Sequence, residues 1–183
     1  MARTHLALLR GINVGGSNKV PMAELRAMAA RLGWKDVATH VNSGNLVFSD
    51  EGKIADLEAA LSAEVETFLG KPVQVLVLTA SEWIDAVEQC PYKPTEDKFV
   101  HLQVHRSPLP EALATAMVED VSAAGDGTEM TVTGRWVYLH TPMGLSKSVA
   151  FTKSPRALSK NDPGTARNLN SSKAIAALLR ASA

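Results

Sequence analysis

The chain has 183 residues, 45% of them hydrophobic, with 19 Lys/Arg against 19 Asp/Glu and one cysteine. That length suits one domain or two small halves, and the lone Cys90 excludes an internal disulfide and fits a reducing compartment. No apolar run approaches the ~20 residues that span a bilayer, and Leu6–Leu9, closed by Arg10, is too short for a signal-peptide core. A cytoplasmic protein with no membrane partner is expected.

Thr4–Leu9 is apolar at nearly every position and predicts a central strand covered on both faces. A long Gly/Asn-rich connection follows, with Val20 as the expected N-cap and Pro21 in the first turn of a helix. Met22, Leu25, Ala29 and Leu32 recur at helical spacing, and Gly33 is placed to stop that helix. Val37–Val41 and Leu46–Ser49 predict strands joined as a hairpin through Asn42-Ser43-Gly44-Asn45. Ile54, Leu57, Leu61, Val65 and Phe68 mark one face of a second helix, and Pro72–Leu78 is another apolar strand. That order, β-α-β-β-α-β, is the ferredoxin-like arrangement.

Thr79-Ala80-Ser81-Glu82 reads as a capping box opening a third helix, which ends near Cys90-Pro91 and leaves the thiol buried and inert. Phe99–His105 alternates as a strand, with Val100, Leu102 and Val104 on one face. Pro110–Ala123 is helical, anchored by Leu113, Met117 and Val121. Glu129–Thr133 and Trp136–His140 predict a hairpin turned through Gly134-Arg135. From Pro142 the chain reads as basic and broken, ending in a helix over Ser171–Arg180. The expected fold is therefore α+β. A ferredoxin-like half covers residues 1–80, and a related α-β-α-β-β half with a C-terminal helical tail covers 81–183, together forming one compact unit.

Neutral overall, the chain is partitioned in charge. Residues 1–23 carry Arg3, Arg10 and Lys19 with no acid, and residues 130–183 carry eight Lys/Arg against Asp162 alone. The middle carries eight Lys/Arg against eighteen acids. Either acidic amphipathic helices simply occupy the middle, or the two basic ends meet and share an anion site.

The first loop is where an anion would sit. A glycine-rich passage from strand to helix lets successive N–H groups face one point, helped by the helix dipole. At roughly ten residues it exceeds the 2–6 usual for such loops. Gly11 and Gly16 satisfy G-x-x-x-x-G, but Ser17 stands where a P-loop requires lysine. The candidate ligand residues are Arg10, Asn13, Gly15, Gly16, Ser17, Asn18 and Lys19, with Lys147, Arg167 and Asn168 from the tail. The competing reading is a structural loop whose asparagines bond their own backbone. The Asn42–Asn45 turn is assigned to turn chemistry. It is placed at the end of strand 2 away from the helix-1 connection, so it joins the site only if the second half brings residues there.

Other chemistries find little support. His101 and His105 lie roughly 13 Å apart along one strand, too far to share an ion, and read as surface or rim histidines. Trp136, Tyr138 and His140 share a strand face that suits base stacking, but no RNP-type run accompanies them and packing is the simpler role. With Asp162 the lone carboxylate in the basic ends, no paired-acid or two-metal centre can be built there. No cofactor, metal or catalytic residue is implied.

Leu8-Leu9-Arg10-Gly11-Ile12-Asn13-Val14-Gly15-Gly16, then Asn18-Lys19-Val20-Pro21-Met22-Ala23-Glu24-Leu25, and Ser43-Gly44-Asn45-Leu46-Val47-Phe48 closely resemble the bacterial family catalogued as domain of unknown function 1697 (DUF1697). The likeness extends through Thr79–Glu82, Tyr138–His140 and Thr165-Ala166-Arg167-Asn168. It implies an α+β fold with ferredoxin-like elements and brings no activity, substrate or cofactor. The tail departs from the family pattern at Leu145-Ser146-Lys147-Ser148, where Arg-Ser-Lys-Leu is usual, and at Leu169, where tryptophan is usual.

The leading functional reading is a cytoplasmic protein that binds a small anionic or phosphorylated, nucleotide-like ligand at the first loop. The alternatives are an enzyme acting on a phosphorylated substrate, or a nucleic-acid or protein-interaction adaptor using the basic tail. The oligomeric state is left unassigned.

Overall fold

The computed structural model describes residues 2–15, 18–148, 162 and 164–181. Contacts divide the chain into two compact units, Met1–Asp85 with Lys173–Ala183 and Ala86–Ser172. The first unit runs β1 (His5–Leu9), α1 (Met22–Arg31), β2 (Lys35–His40), β3 (Asn45–Ser49), α2 (Ile54–Leu69) and β4 (Val75–Thr79). Its sheet has the order β2-β3-β1-β4 with every neighbouring pair antiparallel, which is the ferredoxin-like order.

The core follows from the alternation of strand residues. Ala7 and Leu9, Leu46 and Phe48, and Val75 and Val77 pack with Leu25, Met28 and Ala29 of α1 and Leu57, Leu61 and Val65 of α2. Each such large side chain contributes about 1.5–3 kcal/mol on burial. All five residues of β1 are buried, as a central strand covered on both faces requires. Gly33, at φ +81°, ends α1. Its N–H bonds the Ala30 carbonyl at 3.0 Å while Trp34 N–H bonds Ala29 at 3.1 Å, a Schellman stop. That turn delivers Trp34 into the core, where it stacks on Phe48 with centroids 3.8 Å apart.

The capping box forms. Thr79 N–H donates to Glu82 Oε2 at 2.9 Å and Glu82 N–H to Thr79 Oγ1 at 3.3 Å, opening α3 (Ala80–Glu88). The second unit holds β5 (Val100–Val104), α4 (Glu111–Ala123), β6 (Glu129–Thr133), β7 (Trp136–His140) and β8 (Thr165–Asn168). Its antiparallel order, β6-β7-β5-β8, repeats that of the first sheet. Helix α5 (Leu169–Arg180) follows β8. No helix among the described residues is long and apolar enough to cross a membrane.

Several local expectations need correction. The tail is not broken throughout, because Thr165–Asn168 pairs with β5 from His101↔Asn168 to Val104↔Thr165. The N-cap of α1 is Pro21, while Val20 is fully buried below it. On α2 the inward face steps from Val65 to Leu69, leaving Phe68 45% exposed. His105 is not a rim residue. It is wholly buried, with Nδ1 2.9 Å from the Asp162 carbonyl and Nε2 3.0 Å from Gln103 Nε2. Cys90 is a half-buried thiol whose Sγ lies 3.7 Å from the Tyr92 carbonyl oxygen.

Candidate functional site

The β1–α1 loop is laced by its own asparagines. Asn13, at φ +56°, donates from Nδ2 to the Val20 carbonyl (2.9 Å) and the Asn42 carbonyl (2.8 Å). Its Oδ1 accepts the Val20 N–H at 2.9 Å, and its own N–H bonds the Asn18 carbonyl at 3.1 Å. Asn18, at φ +50°, donates from Nδ2 to the Gly11 carbonyl at 2.9 Å. At the foot of the loop, Leu9 N–H bonds the Gly44 carbonyl and Arg10 N–H the Gln74 carbonyl, each at 2.9 Å.

The bonds to Asn42 and Gly44 overturn the expected position of the hairpin turn. Both β1 and β2 run antiparallel to β3, so they run parallel to each other and finish at the same end of the sheet. The β2–β3 turn therefore sits against the loop that leaves β1, with no help from the second unit. The approach is tight. A Cβ on Gly44 would stand 2.7 Å from Leu9 Cβ and 2.8 Å from Ile12 Cδ1.

Together the loop, the turn and the start of α1 enclose an open groove of about 520 Å³, lined by Asn13, Lys19, Val20, Pro21, Met22 and Asn42. Helix α1 begins here without a side-chain cap, its first intrahelical bond running from Leu25 N–H to the Pro21 carbonyl. The preceding first-turn N–H groups have no intrahelical acceptor and carry the positive end of the dipole. Glu24, the acid in that turn, is paired with Arg31 at 3.1 Å. Lys19, in the groove wall, and Arg10, at the loop's foot, are exposed, and neither side chain has a hydrogen bond or ion pair among the described residues. The groove thus combines a cation, a helix start and apolar walls.

The remaining sequence candidates divide. Gly15 is exposed at φ +59°, and Gly16 and Ser17 lie outside the described residues. Lys147, Arg167 and Asn168 belong to the second unit. Lys147 closes a 3₁₀ turn over Leu145–Lys147 and is exposed. Arg167, on β8, donates from Nη1 to the Ala166 carbonyl at 2.8 Å, and burial pushes its guanidinium down to about 10. The Asn168 side chain caps α5, its Oδ1 accepting Ser171 N–H at 2.9 Å. Asn13 and Asn168, offered by the sequence as ligand donors, are thus engaged in holding the chain. Sequence reasoning missed Asn42 and Met22 as groove residues, although strand direction alone would have placed Asn42 beside the loop.

Tyr138 is buried and donates its hydroxyl to the Ala86 carbonyl at 2.9 Å, so its strand face is packed and is no open stacking platform. Among the described residues no three of His, Cys, Asp and Glu converge in a way that could hold a metal ion.

The β-α-β-β-α-β unit, with its first loop folded over the hairpin turn, is the part of the chain carrying the longest motif. Residues 2–138 match the family model described as "Protein of unknown function (DUF1697)". The chain belongs to the DUF1697 family. A solved structure similar to this DUF1697 protein is that of the conserved bacterial protein SP0830 from Streptococcus pneumoniae. The two are 24% identical, with a TM-score of 0.76 over 98% of this chain and 99% of that one. At that identity the likeness is one of fold. No curated protein matches the chain.

Proposed function

We propose that this DUF1697 protein is a cytoplasmic binder of a small anion, phosphate-bearing in the first instance, seated in the groove at the start of α1. The observation that carries this reading is Lys19, a cation whose side chain has no partner among the described residues, in the wall of an open groove where an uncapped helix begins. Because the Asn13 amide is fully engaged within the loop, recognition falls to Lys19 and main-chain N–H groups, and both favour an anionic group. Arg10 adds to the local positive field without lining the groove.

A thermal-shift screen against inorganic phosphate, nucleotides and sugar phosphates tests the reading. A ligand at 100 times its Kd stabilises the native state by about 2.7 kcal/mol. The expected result is a shift with a phosphate compound that disappears in Lys19→Ala. Parallel Lys147→Ala and Arg167→Ala variants report whether the second unit contributes. No shift with any anion, or a shift that survives Lys19→Ala, overturns the proposal.

A further inference from the structure

The loop that walls this groove also carries an apolar knob. Val14 follows Asn13, the residue clamped to Val20 and Asn42, and is 68% exposed. Arg10 and Lys19 stand on either side of it in the chain, both exposed and unpaired among the described residues. An exposed valine on a loop that also carries two exposed cations calls for an apolar seat with acidic edges.

The second unit has such a seat. Between α4 and β6 lies an open groove of about 340 Å³, lined by Glu111, Ala114, Thr115, Val118, Glu119 and Val132. Ala114, Val118 and Val132 make its floor apolar. Glu111 and Glu119 are exposed, and neither side chain has an ion pair or hydrogen bond among the described residues. Among the described residues strand β6 pairs with β7 alone, so the groove opens beside the outer edge of its sheet.

We infer that the Val14 knob of one molecule docks into the α4–β6 groove of a second copy, with Arg10 and Lys19 meeting Glu111 and Glu119. The occupant is argued from charge and chemistry. Two cations, unpaired among the described residues, stand four residues before and five after the knob in the chain, two such glutamates line the groove, and both halves are present on a chain whose net charge is zero. The contact joins different surfaces of the two copies. It is therefore heterologous, and the assembly either lengthens or closes as a ring or a reciprocal pair, its mass rising with concentration in each case. Its ion pairs are exposed, so salt weakens it.

Sedimentation velocity tests this with two variants. Val14→Asp removes the knob, and Glu119→Lys puts a cation on the groove edge. Both sites are exposed and neither lines the α1 groove; Lys19 serves both readings and is left unchanged, so assembly is measured without added phosphate and anion binding is read separately on the single-chain variants. Wild-type protein is expected to gain mass with concentration at low salt and lose it at high salt, while each variant alone stays at the mass of one chain. Mixed in equal amounts, the variants are expected to form a species of two chains and nothing larger, because one intact knob and one intact groove survive between them. Wild-type protein that stays at one chain at every concentration overturns the inference. So does a Val14→Asp variant that still assembles, or a mixture that does not.

Discussion

Both units place their strands in the order 2-3-1-4, and they differ in how the chain leaves the first strand. Register fixes the correspondence. Leu8 faces Asn45, the first residue of β3, as Val104 faces Trp136, the first residue of β7. Two residues on stand Arg10 and Arg106. In both units the residue before that arginine bonds the hairpin turn at 2.9 Å, Leu9 N–H to Gly44 and His105 N–H to Arg135. Both following helices start from a proline N-cap, Pro21 at φ −59° and Pro110 at φ −55°.

Between these common points the second unit needs five residues, Arg106–Pro110, and the first takes twelve, Arg10–Pro21. The short connection is closed by an internal carboxylate. Asp162 Oδ2 accepts Arg106 N–H at 2.6 Å and Ser107 N–H at 3.2 Å. The long one is closed by the neutral amide of Asn13, and its cations face solvent. The second unit shows that this topology is satisfied by a short loop. The added length in the first unit is therefore not a demand of the fold, which is why the proposed site is placed there.

If Asn13 is the closure of the first loop, its loss should cost more than loss of Asp162. Asn13→Ala removes three hydrogen bonds and leaves the Val20 N–H without its acceptor, an expected loss of about 2 kcal/mol by urea unfolding. Asp162→Ala frees two exposed N–H groups that water can satisfy, an expected loss of about 1 kcal/mol. Hydrogen exchange should place the first effect around Val20 and the second around Arg106 and Ser107. An Asn13→Ala variant no less stable than Asp162→Ala would mean that something other than this side chain shapes the loop.

The ferredoxin-like half was legible because its strands are apolar runs and its helices keep a regular period, so pattern and fold agree. Strand β8 was not. Thr165–Asn168 is four residues long, carries an arginine and an asparagine, and pairs on one edge with β5, so no hydrophobic alternation marks it. His105 was misjudged for a related reason. What makes its burial tolerable is a bond to the Asp162 carbonyl 57 residues away, and nothing near it in sequence announces that partner. The loop asparagines were legible as turn residues. Whether Asn13 faced a ligand or its own chain depended on the direction of β2, a tertiary fact.

The smallest expected effect separates burial from charge, because the same register makes His5 and His101 equivalent. Each is the residue three before Leu8 or Val104, and each faces the fourth residue of the partner strand, Phe48 or Leu139. Burial lowers the pKa of both below the ordinary 6.5. At His5 the charges of Asp50 and Glu82 oppose the shift, and Nδ1 lies 2.8 Å from Thr4 Oγ1. At His101 burial acts alone, and Nδ1 is buried with no hydrogen-bond partner among the described residues. A histidine with a lowered folded pKa takes up its proton first in the unfolded chain. Stability is therefore full above about pH 6.5 and declines as the pH falls below it. Urea midpoints compared at about pH 7.5 and about pH 5.5 should show this decline in the wild type. His101→Gln should flatten it more than His5→Gln, because no carboxylate offsets the penalty at His101. Equal flattening by the two variants would show that the acids beside His5 do not reach it through solvent, and that burial sets the response of both units.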